Sequence, residues 1–203
     1  MATLARQISG YNIFSTAILP TWSGSAWVEA ATRSPAWALC EVLRGAANAR
    51  PVADSRLDLD EILGWDQYCT TEGITFDGVL DDRASVWDVL QDIVGTGNAS
   101  FWQSAGPFSV VVDKARATPV QHFTPRNSRG FQSQKTFARR PHALKVRFPN
   151  ERTQRTWDEI YVYEAGYSAA NATIFESLEL PYTSSARQAW KRARRALYAA
   201  RLR

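Results

Sequence analysis

His122 and His142, with Cys40 and Cys69, are the side chains here best suited to nucleophilic or metal chemistry. Their spacing suits neither. Both cysteines lie far from both histidines in sequence, so no zinc-ligand spacing is present. Neither histidine has a nucleophile pattern such as G-x-S-x-G beside it. Cys40 and Cys69 fall inside predicted helices, on or near apolar faces, which reads as buried free thiols rather than a disulfide. Val94-Gly95-Thr96-Gly97-Asn98-Ala99 looks like half of a dinucleotide fingerprint. It follows a helix and precedes a strand, the reverse of the order that sets a phosphate on a helix N-terminus, so a helix C-cap is the reading kept. The acids Asp58, Asp60 and Glu61, and Asp81 and Asp82, stand at predicted helix starts, where the helix dipole favours negative charge. Capping, not acid–base catalysis, is expected of them. No catalytic, cofactor-binding or metal-binding residue is assigned, and the chain is read as a non-enzyme.

The constellation that points to a partner is cationic. In the last predicted helix Arg187, Lys191, Arg194, Arg195 and Arg201 occupy one arc, opposite an apolar stripe of Ala186, Ala189, Trp190, Ala193, Leu197 and Ala200. That arc could contact a neighbouring subunit or neutralise the phosphates of a nucleic acid. The stripe fits a helix packed on a sheet, so Trp190 and Leu197 are expected inside and Arg187, Lys191 and Arg194 outside. The wider charge pattern agrees. Residues 1–114 hold 7 Lys/Arg and 14 Asp/Glu, a net −7, whereas residues 115–203 hold 17 and 6, a net +11. The split suggests a boundary near Lys114 and a charged partner surface. Acidic and basic halves could meet between copies of the chain or face each other within one chain.

The elements that must position these residues divide in the same way. In the first part (1–114), residues 11–19 read as a strand, and Trp22 and Trp27 flank a Ser23-Gly24 turn. Ser34 caps a helix opened by Pro35, with Trp37, Cys40 and Leu43 inward. A second helix spans 58–70, with Leu59, Ile62, Leu63 and Cys69 inward and Gly73 beyond its end. Residues 74–80 read as a short strand. The central stretch, 81–113, is an amphipathic helix striped by Val86, Val89, Leu90, Ile93 and Val94, feeding a hairpin of 101–103 and 108–112. Asp82 or Ser85 can cap its start; Gly95 and Gly97 are expected to end it through the left-handed conformation. In the second part (115–203), strands are expected at 131–137, 143–148, 157–164 and 172–180, before the final helix. The fold class is therefore α+β: helices with a hairpin, then an antiparallel sheet with one long C-terminal helix.

Four of these pieces, in order, resemble the central tail-tip or host-specificity protein J family of phages with long non-contractile tails. They are Ser34-Pro35-Ala36-Trp37, the helix with Phe101-Trp102 and the Ala105-Gly106 turn, Phe123-Thr124-Pro125-Arg126-Asn127, and the Ala/Arg-rich final helix ending Ala196-Leu197-Tyr198. The resemblance spans roughly residues 20–203. It implies a structural segment of a phage or prophage tail hub, linking tail tube to receptor-binding tip. It also implies homotrimeric assembly around a lumen, other tail proteins as partners, and residence at the virion tail tip after synthesis in the host cytoplasm. The family's proteins are several times longer, so the chain is read as an excised piece or truncated remnant, and host recognition is not assigned to it. A basic nucleic-acid-binding module is the second reading.

Composition sets the outer bounds. With 45% hydrophobic and 22% charged residues the chain is of ordinary globular composition. No cofactor is expected, no apolar run reaches a membrane-span length, and no secretion signal is visible at the start.

Overall fold

A computed structural model describes residues 15–80, 84–103, 106–119, 121–132 and 139–201. The described chain opens with a hairpin of β1 (Ile18–Trp22) and β2 (Trp27–Ala31). Trp22 opposes Trp27 at the turn, with ring centroids 5.3 Å apart. The Ser23 N–H donates to the Ala26 carbonyl at 2.9 Å, and Gly24 supplies the positive φ of 96° that the turn requires.

Three helices follow, each started by its expected cap. α1 (Pro35–Arg44) begins where the Ser34 hydroxyl accepts the Ala36 N–H, with Pro35 in the first turn. α2 (Leu59–Glu72) begins at Asp58, whose carboxylate accepts the Glu61 N–H, and ends at left-handed Gly73. α3 (Val86–Thr96) begins at Ser85, whose hydroxyl accepts the Asp88 N–H and donates to the Asp88 carboxylate at 2.6 Å. Of the two expected starts it is thus Ser85 that caps; Asp82 lies outside the described residues. The other end departs from expectation. The helix runs through Gly95, Gly97 has φ −87°, and the left-handed residue is Asn98 at φ 54°. Asparagine tolerates that region by local polar bonding, so Gly97 is needed for space instead. The Trp65 indole lies against its Cα, where any Cβ would clash, and Trp65 Nε1–H donates to the Gly97 carbonyl at 2.9 Å.

β3 (Ala99–Gln103) and β4 (Phe108–Val112) form the expected antiparallel hairpin, Phe101 opposite Val110. Residues 104–105 of the expected turn lie outside the described residues. Val110 and Val112 turn inward with Leu90, Ile93 and Val94, and meet Trp37, Leu39, Ile62 and Trp65 in the first core. Val86, placed in the helical stripe, is half-exposed at the first turn instead. Residues 74–80 form no strand. They run as a strap whose Phe76 N–H donates to the Arg33 carbonyl and whose Asp77 N–H donates to the Tyr182 carbonyl, so its bonds go to two loops rather than to a ladder.

The second core is a three-stranded sheet under one helix. β5 (Ala143–Asn150) alternates as expected: Leu144, Val146 and Phe148 are buried, whereas Lys145 and Arg147 face out. β6 (Thr156–Tyr163) pairs with it antiparallel. β7 (Phe175–Glu179) does not extend the antiparallel pattern. It lies on the far side of β5 and parallel to it, giving the order β6-β5-β7 and a mixed sheet. The connection from β6 crosses the start of β5 to reach that side. It is tied there by the Glu164 N–H donating to the His142 carbonyl (2.9 Å) and the His142 N–H donating to the Ile174 carbonyl (2.8 Å). Of the strand expected at 131–137, residues 131 and 132 are irregular and 133–138 lie outside the described residues.

α4 (Ala186–Arg201) covers the inner sheet face with Ala189, Ala193 and Leu197. Its buried arc is turned by about one position from the expected stripe. Gln188 is buried while Trp190 is 50% exposed and Ala186 is exposed, which corrects the expectation that Trp190 packs on the sheet. The reason is polar. Gln188 Oε1 accepts the Thr75 N–H at 3.1 Å and its Nε2 donates to the Thr75 carbonyl at 2.9 Å, so the strap draws Gln188 inward. Trp190 instead lies under the Arg194 guanidinium, 5.8 Å from the ring centroid.

Two consequences can be measured by urea denaturation. Gly97→Ala should lose about 1–3 kcal/mol, because the new methyl must displace a buried indole, whereas Gly95→Ala, with nothing near its Cβ position, should gain about 0.5–1 kcal/mol. Trp190→Ala should cost about 1 kcal/mol or less, as for surface sites, whereas Leu197→Ala should cost about 2–5 kcal/mol. Equal losses at Trp190 and Leu197 would contradict this placement of α4.

Candidate interaction surfaces

Between the two cores lies a polar seam. Arg33, just before α1, sends Nε and Nη2 to the two carboxylate oxygens of Asp77 at 2.6 and 2.8 Å, a bidentate pair. Asp77 is buried and also accepts from the Thr75 hydroxyl (2.7 Å) and the Ser184 hydroxyl (2.8 Å). Arg33 Nη2 reaches Glu151, beyond the end of β5, at 3.1 Å. Burial on its own would raise the Asp77 carboxyl, but the hydrogen bonds from Arg33, Thr75 and Ser184 outweigh it and hold the group below its ordinary range. The same bond to Asp77 raises Arg33. Phe76 and Tyr182 stack beside the seam at 5.1 Å, and Arg192 completes it. Burial pushes Arg192 down to about 10, with Asp92 opposing that shift, and its Nη1 donates to the Thr183 hydroxyl at 3.1 Å.

The basic arc of α4 takes part in the same junction. Lys191 pairs with Glu72 at 2.7 Å and donates to the Glu72 carbonyl at 3.0 Å. Arg195 pairs with Asp113 and donates to its carbonyl at 2.8 Å. Arg194 donates to the Tyr163 carbonyl at 2.8 Å and to the Tyr198 hydroxyl at 3.0 Å. Arg201 reaches Glu164 at 3.4 Å. Arg187 is exposed at the helix start, near enough to Glu72 to favour its ionised form. Of the five cations singled out in sequence, Lys191 and Arg195 thus bridge from α4 to acids of the first half, and Arg194 and Arg201 hold groups of the second. Only Lys191 and Arg187 act near one acid together.

The residues with chemical potential are placed as follows. Cys40 and Cys69 are buried free thiols, and burial pushes each up to about 12, far from a reactive thiolate. His142 Nδ1 accepts the Thr173 N–H at 3.1 Å, and its ring stacks on Tyr167 at 3.9 Å. His122 is exposed in an irregular segment, its carbonyl accepting from Asn127 at 2.7 Å. Among the described residues no group of three metal-ligating side chains forms, and no helix is long and apolar enough to cross a membrane.

Sequence reasoning missed the seam. Arg33 lies 44 positions from Asp77 and 151 from Ser184, and no local period marks them. Gln188 gave no signal either, because at helical spacing it falls outside the apolar stripe, beside Arg192 and Arg195. A further surface is the outer face of the sheet. There Trp157, Tyr161 and Phe175 are about half-exposed, among the ion pairs Lys145–Glu159, Arg147–Glu159 and Arg147–Glu179.

Set against known protein families and curated proteins, the chain matches no family model and no curated sequence.

The seam yields a pH-dependent expectation. A carboxyl held below its unfolded value of about 3.9 stabilises the fold above that pH, and the contribution disappears as pH falls through the folded value. Asp77→Ala should therefore cost about 2–3 kcal/mol at pH 7, less than a fully buried pair because Arg33 still reaches water. The gap between wild type and variant should narrow below about pH 4. A gap that is unchanged there would mean the charge of Asp77 contributes nothing.

Proposed function

We propose that this chain is a structural segment of a phage or prophage tail tip, a hub module joining the tail tube to the receptor-binding tip. In this reading it assembles with copies of itself, as a trimer in the full-length protein, and with other tail proteins. No residue is given a catalytic role. The resemblance supplies the family; the observation that carries the role is how the aromatic side chains are spread. Trp87, Trp102, Trp157, Tyr161, Phe175, Trp190 and Tyr198 are each between 39% and 52% exposed, on both hairpin and sheet faces and on two helices. They do not line one pocket. A segment walled in by neighbours on several sides needs such half-buried aromatics, which are enriched in protein interfaces.

Basic residues on α4 as a nucleic-acid surface are the weaker reading, because Lys191 and Arg195 already hold carboxylates of the same chain. The decisive experiment is on particles. Antibodies to this chain should label the distal end of tails in an induced lysate, and interrupting its gene should leave tails without a functional tip. Normal infectious particles from the interrupted gene would overturn the proposal.

A further inference from the structure

A cavity of about 460 Å³ opens where the first hairpin, α1, α2 and the strap converge, a size that holds a small ligand or one long side chain. Much of its wall is already engaged. Among the described residues its one cation is Arg33, which Asp77 and Glu151 hold on the seam. The Thr75 hydroxyl donates to Asp77, and the Thr21 hydroxyl donates to the Val28 carbonyl. Two groups of the wall are not engaged. The Trp22 indole N–H is buried and has no acceptor. Native structures rarely leave such a donor without a reason. Asp66, on α2, is the one acid there among the described residues. It is partly buried and makes neither an ion pair nor a side-chain hydrogen bond.

Both groups are held in place before any ligand arrives. Trp22 packs on Trp27 at 5.3 Å, and Trp27 meets Trp37 edge to face at 6.2 Å. Trp27 is itself anchored: its Nε1–H donates to Asp54 at 2.8 Å, and the Arg44 guanidinium lies 3.8 Å over its ring. Asp66 and Thr70 stand one turn apart on α2 and both reach the cavity, so a carboxylate and a hydroxyl adjoin on one helix face. Little ordering entropy is therefore left to oppose binding.

Charge selects the ligand. With Arg33 already matched by two acids, an anion entering here meets the carboxylate of Asp66 and is repelled. A neutral polyol leaves that carboxylate further desolvated and still unpaired. A guanidinium satisfies it, because its fork of N–H donors spans a carboxylate and a neighbouring hydroxyl. An arginine residue in a peptide also brings an alkyl stem for the apolar wall and a backbone carbonyl, the acceptor that Trp22 lacks.

We propose that this cavity binds an arginine side chain of a partner peptide, with Asp66 and Thr70 receiving the guanidinium and Trp22 Nε1–H donating to a backbone carbonyl. The proposal does not depend on the tail-hub reading.

The test is titration of the whole chain with Nα-acetyl-arginine N-methylamide, followed in a proton–nitrogen correlation spectrum. The Trp22 indole peak is identified by its loss in Trp22→Phe. A saturable downfield shift of that peak is expected, with a dissociation constant on the order of 1 mM. The neutral isostere, Nα-acetyl-citrulline N-methylamide, should bind about tenfold or more weakly, as for loss of a charged hydrogen bond. Asp66→Asn should weaken the arginine probe by the same factor and remove the difference between the two probes. Asp66 makes no bond within the fold, so this variant should keep the wild-type thermal midpoint; the citrulline comparison on wild type needs no variant at all. Butylguanidinium, which has no carbonyl, should bind yet leave the Trp22 peak in place. No shift with the arginine probe at about 10 mM, tenfold above the expected constant, would overturn the proposal. So would equal affinity for the arginine and citrulline probes, or an Asp66→Asn variant that binds as wild type. Maltose shifting the Trp22 peak at lower concentration than the arginine probe would overturn it in favour of a saccharide site.

Discussion

The fold depends on one buried carboxylate. Asp77 sits on an extended strap between two separate hydrophobic cores and gathers Arg33, Thr75 and Ser184 around it. Each core is small, and small cores leave little margin of stability. An apolar weld between them would be stronger but indifferent to register. A bidentate Arg–Asp pair with two hydroxyl donors has a single satisfactory geometry, and any slip leaves a buried charge unpaired. The seam therefore fixes orientation more than it adds stability. Gln188 extends the same logic into α4. By matching both the N–H and the carbonyl of Thr75 it sets which face of the helix meets the strap.

The division of charge along the chain follows from this seam. An acidic first half and a basic second half hold each other through Lys191–Glu72 and Arg195–Asp113, with Arg33 and Glu151 pairing in the opposite sense. Exposed pairs of this kind are individually weak. Placed around a geometrically strict centre they add long-range preference for one docking without having to carry it. Part of the charge split is thus used inside one molecule.

How much of this was legible in the sequence depended on range. Caps at Ser34, Asp58 and Ser85, the Trp22–Trp27 hairpin and the alternation of Leu144, Val146 and Phe148 are local, and each was readable because the physics sits within a few residues. Non-local choices were not. Whether β7 runs parallel or antiparallel to β5 depends on which edge the connection reaches, and hydrophobic alternation is the same on either side. Trp190 was misplaced because apolarity alone sets the expected stripe, while a buried glutamine paired to the strap sets the actual one. Gly97 was correctly read as a helix end, but for the wrong reason. Its lack of a side chain serves Trp65, 32 positions away.

Two kinds of unfinished surface remain on the molecule, and their physics differs. The outer sheet face holds Trp157, Tyr161 and Phe175 on paired strands, and Tyr161 and Phe175 meet edge to face at 6.1 Å. A partner that covers them finds them already ordered, so little conformational entropy is lost on contact, which suits a permanent neighbour in an assembly. The turn at Thr124–Ser128 is of the other kind: Asn127 and Ser128 hold it by bonds within five residues, and its neighbour Phe123 is 71% exposed.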